Sequence, residues 1–187
     1  MNCPHLLILG GARSGKSSEA LKIAEEVFLK DPRQNPGGLF IATAQALDRE
    51  MELRIDAHRK QRGEKWVTLE EPVRLCRALG EADKRFQVIL IDCLTMWLSN
   101  VLISGSEDPL LEINRLADAL KKTIIPTIMV SNEVGMGLVP ENSLGRRFRD
   151  LQGILNQEIA SLCCTVIFMA AGLPLALKGT IPDPGSC

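Results

Sequence analysis

The sequence predicts an α/β fold, a mainly parallel sheet flanked by helices. Three observations carry that prediction: five short apolar runs without polar alternation, helix-period segments between most of them, and a Gly-rich octet joining the first run to the first helical segment. Runs of this kind are how strands buried on both faces of a parallel sheet read, and their alternation with helices is the α/β signature.

In chain order the runs are Leu6–Leu9, Leu39–Ala42, Val88–Ile91, Thr127–Val130 and Thr165–Met169. Segments of helical period cover Ser17–Leu29, Leu47–Arg62, Pro72–Ala82, Pro109–Lys122 and Ser143–Leu162. The stretch Asp31–Gly38 is rich in helix breakers and reads as a connection, as does Ser104–Asp108. Residues from about Thr180 to Cys187 read as a frayed tail. A chain of 187 residues accommodates one domain with a full core, and two would be cramped. In such a sheet, functional residues gather at the C-terminal ends of the strands.

Composition narrows the function classes. The chain is 45% apolar and 24% charged with a formal net charge of −1, which suits an ordinary globular protein and disfavours nucleic acid as a partner. The longest apolar run, Val88–Ile103, is interrupted by Asp92, Ser99 and Asn100 and is short for a membrane span. The N-terminus lacks the order of a signal peptide, so a cytoplasmic location is expected. Six cysteines show no paired C-x-x-C spacing and read as free thiols, with Cys93, Cys163 and Cys164 in apolar surroundings. His5, at the start of a strand, reads as incidental.

The octet Gly10-Gly11-Ala12-Arg13-Ser14-Gly15-Lys16-Ser17 matches G-x-x-x-x-G-K-[ST]. Its flanks, an apolar strand before and a helix after, are the context that a phosphate loop requires. Backbone N–H groups of such a loop curl around phosphates at a helix N-terminus. Lys16 is expected to reach the terminal phosphates of a purine nucleoside triphosphate, and Ser17 to hold Mg²⁺. Asp92 closes a second strand, where a carboxylate can orient Mg²⁺, partly through water. An Asp capping the following helix is the plainer alternative there.

His58 lies in the helical segment Leu47–Arg62, with Arg54 and Arg62 four residues to either side on one face and Arg59 and Lys60 nearby. That face suits an anionic ligand, and its cations disfavour protonation of the imidazole. Periodicity alone favours the plainer explanation, a solvated basic face with an incidental histidine.

These stretches together resemble the bifunctional adenosylcobinamide kinase/adenosylcobinamide-phosphate guanylyltransferase family of cobalamin biosynthesis. The likeness extends through Ile41–Ala44, Asp48–Met51, Trp66–Pro72, Asp92–Asn100, Ser131–Glu141 and Arg147–Asp150, with Gly153, Asn156 and Gln157. It runs in order from about Leu7 to Lys178. The resemblance implies a RecA-like P-loop fold, phosphorylation of the aminopropanol hydroxyl of adenosylcobinamide by ATP or GTP, and transfer of GMP from GTP to that phosphate. It also implies a GMP–histidine intermediate, at the position of His58 here. Nucleotide contacts implied by the family fall on Gly10–Ser17, on Ala42, Thr43 and Ala44, on Arg59, Lys60, Gln61 and Arg62, and on Glu70 and Asp92. Some members carry a second histidine where this chain has Ala57. The likeness further implies a corrinoid substrate and a homo-oligomer, trimeric or hexameric.

Two stretches keep two readings each. Asn132-Glu133 could face the corrinoid or form a structural turn, and Arg146, Arg147 and Arg149 could meet a neighbour's phosphate or form helical ion pairs such as Arg146–Asp150. Within enzymes, the competing expectation is a small-molecule P-loop kinase without guanylyl transfer. Outside them, it is a non-catalytic GTP-binding switch.

Overall fold

The computed structural model describes residues 5–30, 37–45, 49, 65–82, 86–105 and 107–182. The elements are β1 (His5–Gly10), α1 (Lys16–Lys30), β2 (Gly38–Ala42), β3 (Trp66–Glu70), α2 (Leu75–Gly80), β4 (Val88–Asp92) and α3 (Leu94–Ser104). They continue with α4 (Pro109–Lys122), β5 (Thr127–Asn132), α5 (Ser143–Leu162), β6 (Thr165–Ala170) and β7 (Leu173–Lys178).

The seven strands form one sheet in the order β3-β2-β4-β5-β1-β6-β7. All neighbours run parallel except β6 and β7, which form an antiparallel pair at one edge. One strand, β5, thus separates the loop-bearing strand β1 from β4 with Asp92, and the architecture is the expected mainly parallel sheet flanked by helices.

Strand side chains alternate between faces, and the core divides accordingly. Leu7, Leu9, Leu39, Ile41, Ile89, Ile91 and Met129 pack under helices α2 to α5. Leu6, Ile8, Phe40, Val88, Leu90, Ile128 and Val130 pack with Ala20, Ile23 and Ala24 of α1. Burial on both faces explains why β1, β2, β4 and β5 read as unbroken apolar runs. Ile181 is also half-buried against the second cluster, so packing continues beyond β7.

Three elements escaped the pattern reading. β3 and β7 are edge strands, with Val67–Glu70 and all of β7 exposed; Thr68 and Glu70 break the apolar pattern of β3, and Pro174 argues against a strand in β7. Helix α3 buries Leu94, Thr95, Trp97, Leu98, Asn100 and Val101 around most of its circumference. A helix apolar on nearly every side carries no 3.6-residue contrast and merges in sequence with the strand before it. Its end is set by Gly105 in the left-handed conformation. The segment Pro72–Ala82 is helical only over Leu75–Gly80.

Two smaller expectations are corrected. His5 is buried, and its Nε2 lies 3.0 Å from the Leu120 carbonyl oxygen, tying β1 to α4. Of the apolar-run cysteines, Cys163 is buried but Cys164 is exposed. No described helix is long and apolar enough to cross a membrane.

Candidate active site

Because the first five strands of the chain lie parallel, their C-terminal ends share one edge. The register pairs Gly10 with Asn132, and Ala42 with both Glu70 and Asp92. The sheet therefore lines up the phosphate loop, Ala42–Ala44, Glu70, Asp92 and Asn132 along that edge.

The loop between β1 and α1 needs glycine where the chain reverses. Gly10 has φ +151°, and a Cβ there would collide with the Met169 carbonyl oxygen and stand 2.8 Å from Ser14 Oγ. Arg13 adopts positive φ at 55° and Gly15 at 94°. The loop is braced on both sides. The Glu133 amide donates to the Gly10 carbonyl at 3.0 Å, and the Gly172 amide in the β6–β7 turn donates to the Ser14 carbonyl at 3.2 Å. Gly11, Ala12 and Arg13 are exposed, whereas Ser14 and Lys16 are buried and Ser17 is half-buried.

The Lys16 ammonium donates to the Gly11 carbonyl at 2.6 Å and to Ser14 Oγ at 3.4 Å. Desolvation lowers its pKa, and the neighbouring Cys93 and Asp92 partly oppose that. The Cys93 residue is half-buried but its thiol lies deep, and burial first and the Asp92 charge second push its pKa up to about 12. Lys16 and Asp92 thus face each other electrostatically where the loop meets the end of β4.

The exit of β4 is held by β2. The peptide joining Asp92 to Cys93 is cis. Thr43 has no exposed surface, and its hydroxyl donates to the Cys93 carbonyl at 2.7 Å while accepting from the Cys93 amide at 2.8 Å. Asn100 of α3 donates to the Thr43 carbonyl at 2.8 Å and to the Pro72 carbonyl at 3.1 Å. The Thr43 side chain thereby secures the Asp92 corner, while Ala42 and Ala44 on either side are half-buried. Glu70 is exposed at the end of β3.

A second polar cluster lies under the end of β5. Ser131 Oγ donates to Asn156 Oδ1 at 2.7 Å, and Gln152 Nε2 donates to Ser131 Oγ at 2.9 Å and Asn156 Oδ1 at 3.0 Å. Asn156 Nδ2 donates to the Asn132 carbonyl at 3.1 Å, and the Asn132 amide to Thr95 Oγ1 at 2.7 Å. No simple motif marks these positions. The available signal is polar residues spaced four apart on the buried face of an amphipathic helix, as with Gln152 and Asn156 of α5.

Several expected site residues lie outside the described residues: His58, Arg59, Lys60, Gln61 and Arg62, with Arg54 of the same basic face. The ion pair weighed between Arg146 and Asp150 does not form. Arg146 instead donates to the carbonyls of Pro140 and Glu141, and it is Arg149 that approaches Asp150, at 4.0 Å. Asn132-Glu133 begins a structured turn, in which Glu133 Oε1 accepts from the Gly135 amide at 2.6 Å.

Comparison with known proteins gives concordant matches. Residues 6–177 match the family described as cobinamide kinase / cobinamide phosphate guanyltransferase. The chain is 45% identical to the bifunctional adenosylcobalamin biosynthesis protein CobP of Pseudomonas aeruginosa, over 92% of this chain and 96% of that protein. It is 36% identical to the bifunctional adenosylcobalamin biosynthesis protein CobU of Escherichia coli, over 92% and 99%. Among solved structures, the RadB recombinase aligns with a TM-score of 0.46 at 15% identity, over 88% of this chain and 73% of that one.

Proposed function

The chain belongs to the cobinamide kinase / cobinamide phosphate guanyltransferase family, and from that premise we propose that one protein performs both reactions on a corrinoid. It phosphorylates the aminopropanol hydroxyl of adenosylcobinamide. It then transfers GMP from GTP to the new phosphate, giving adenosylcobinamide-GDP and pyrophosphate. The observation that supports the kinase half is a braced phosphate loop whose buried Lys16 faces Asp92.

In the kinase step, loop amides of Gly10–Ser17 bind the triphosphate, and the Lys16 ammonium turns from the Gly11 carbonyl to the terminal phosphate oxygens. Arrival of those anions favours the charged form of a lysine that burial has disfavoured. The acceptor hydroxyl oxygen forms a bond to the γ-phosphorus, and the bond from that phosphorus to the bridging oxygen breaks. The nucleoside diphosphate leaves, and the hydroxyl proton passes to solvent.

The donor set suits Mg²⁺: a hydroxyl on Ser17 and a carboxylate on Asp92, both hard oxygen ligands at the edge of the loop. No group of three or more His, Cys, Asp or Glu side chains fit to hold a metal occurs among the described residues. That agrees with an ion completed by phosphate oxygens and water rather than by a protein cage. When bound, it supplies charge neutralisation on the phosphoryl oxygens.

For the second step we assign the nucleophile to His58, on the family likeness and the sequence position. A neutral ring nitrogen forms the bond to the α-phosphorus of GTP, the bond to the α,β-bridging oxygen breaks, and pyrophosphate departs. An oxygen of adenosylcobinamide phosphate then attacks the same phosphorus and displaces the histidine. Arg59, Lys60, Gln61 and Arg62 would steady the phosphates, with Ala42, Thr43, Ala44 and Glu70 placing the nucleoside, Glu70 as acceptor for guanine or ribose. A cytoplasmic setting and a homo-oligomeric state, trimeric or hexameric, belong to the same proposal.

The test is incubation with α-labelled GTP followed by denaturation. An acid-labile, base-stable label in the wild type and none in His58→Ala supports guanylyl transfer through that residue. Cobinamide phosphorylation should survive in His58→Ala and disappear in Lys16→Ala. Kinase turnover with no label in the wild type reduces the chain to a kinase alone.

A further inference from the structure

The connection from β5 to α5 is pinned at both ends and apolar in the middle. At its start, Glu133 donates through its amide to the Gly10 carbonyl of the phosphate loop at 3.0 Å and closes a turn onto Gly135. At its end, Arg146 donates to the Pro140 and Glu141 carbonyls, and Asn142 Oδ1 caps α5 through the Gly145 amide at 2.6 Å. Between these anchors Met136, Leu138 and Val139 are 81%, 96% and 61% exposed. Among other large exposed apolar side chains, Ile103 and Ile124 end α3 and follow α4, while Leu173, Leu175 and Leu177 lie on β7, which meets the loop through Gly172 from the β6 side. An apolar cluster held out in water by a fixed turn marks a binding surface, and methionine adapts to irregular ligands.

The position of this cluster selects its occupant. Lys16 contacts the terminal phosphates of a nucleotide in such a loop. Its electrostatic partner Asp92 ends β4, so the transferable phosphoryl group points toward the β4–β5 side of the loop. The chain that leaves β5 on that side is the connection carrying Met136. An acceptor hydroxyl must approach from there, and the body of the acceptor must rest within one side arm's length. Cobinamide is a wide macrocycle with methyl groups on its faces and amide arms on its rim, one arm bearing that hydroxyl. It combines an apolar face with a polar border.

Resting on the activity proposed above, we infer that Met136, Leu138 and Val139 form the platform on which the apolar face of the corrinoid docks. This platform sets the acceptor's affinity without touching the nucleotide.

The experiment compares wild type, Leu138→Ser and the double variant Met136→Ser/Leu138→Ser. Exposed side chains contribute little to folding, so thermal melting should match the parent. KM for cobinamide should rise about 10-fold in the double variant, with KM for the nucleotide and kcat within about 2-fold. Retention of coloured cobinamide by the protein in spin filtration should fall in parallel. A wild type that turns over cobinamide, with variants at the parental KM, overturns the platform alone. A wild type with no cobinamide kinase activity overturns the underlying reading and the platform with it. Variants at parental KM that elute as a smaller species also overturn it, and assign the cluster to contact between copies of the chain.

Discussion

The Thr43 hydroxyl makes two hydrogen bonds to one residue fifty positions away, donating to the Cys93 carbonyl at 2.7 Å and accepting from the Cys93 amide at 2.8 Å. It joins the ends of β2 and β4 immediately after Asp92, and so sets where that carboxylate stands relative to Lys16. Thr43→Val keeps the shape and removes both bonds, leaving two backbone groups without their partner. Stability should fall by about 2–4 kcal/mol, read as a lower urea midpoint, and kinase kcat should drop with it. Thr43→Ser retains the hydroxyl and should lose only about 1 kcal/mol with activity preserved.

Adjacent glycines in the phosphate loop should respond differently to alanine. At Gly10 the added methyl meets the Met169 carbonyl and Ser14 Oγ, in a backbone conformation that alanine resists. Gly10→Ala should lower the melting temperature and abolish nucleotide binding. At Gly11 the methyl meets nothing within 4 Å, so Gly11→Ala should melt at the wild-type temperature. Calorimetric melting and nucleotide titration of the two variants would separate these outcomes.

The cluster beneath β5 should carry both stability and alignment. Asn156→Ala removes the acceptor for Ser131 and Gln152 and the donor to the Asn132 carbonyl. A cost of about 2–4 kcal/mol in urea unfolding is expected, because these groups lie in the interior. Since Glu133 follows directly and bonds to Gly10, KM for the nucleotide should rise in the same variant. An unchanged KM would confine the cluster to a folding role.

Two thiols should make the fold sensitive to alkali. Burial, assisted by Glu112, raises Cys76 to about 11, and burial with the Asp92 charge raises Cys93 to about 12. Both lie above the ordinary 9.0, so the unfolded chain loses these protons first. Their contribution is fully present below pH 9 and is lost as pH rises toward 11 and 12, at no more than about 1.4 kcal/mol per pH unit for each thiol. Urea midpoints of wild type should decline across that range, and Cys93→Ala should flatten the decline. Equal slopes would show that this thiol is not the source.

Much of the fold was readable because burial on both faces writes itself into composition. β1, β2, β4 and β5 are apolar without interruption, and α4 and α5 begin and end at the residues their periodicity and caps indicate. β3, β7 and α3 were not readable, the strands because they are exposed and the helix because it is almost wholly buried. In the site, the octet was legible as a local pattern whose eight residues do their work together. Thr43 appeared only through family likeness, and as a nucleotide contact. Its actual partner, Cys93, is invisible to any reading of neighbours along the chain.

By itself the sequence determined the phosphate loop, the class of sheet that carries it and the family to which the chain belongs. Each is encoded in short contiguous stretches, where glycine, lysine and apolar runs act on their own neighbours. Tertiary structure alone decided that Lys16 faces Asp92, that Thr43 clamps Cys93, and that the Met136 turn hangs from Gly10. Those are contacts between residues far apart in the chain, made only when strands from distant segments take their places side by side.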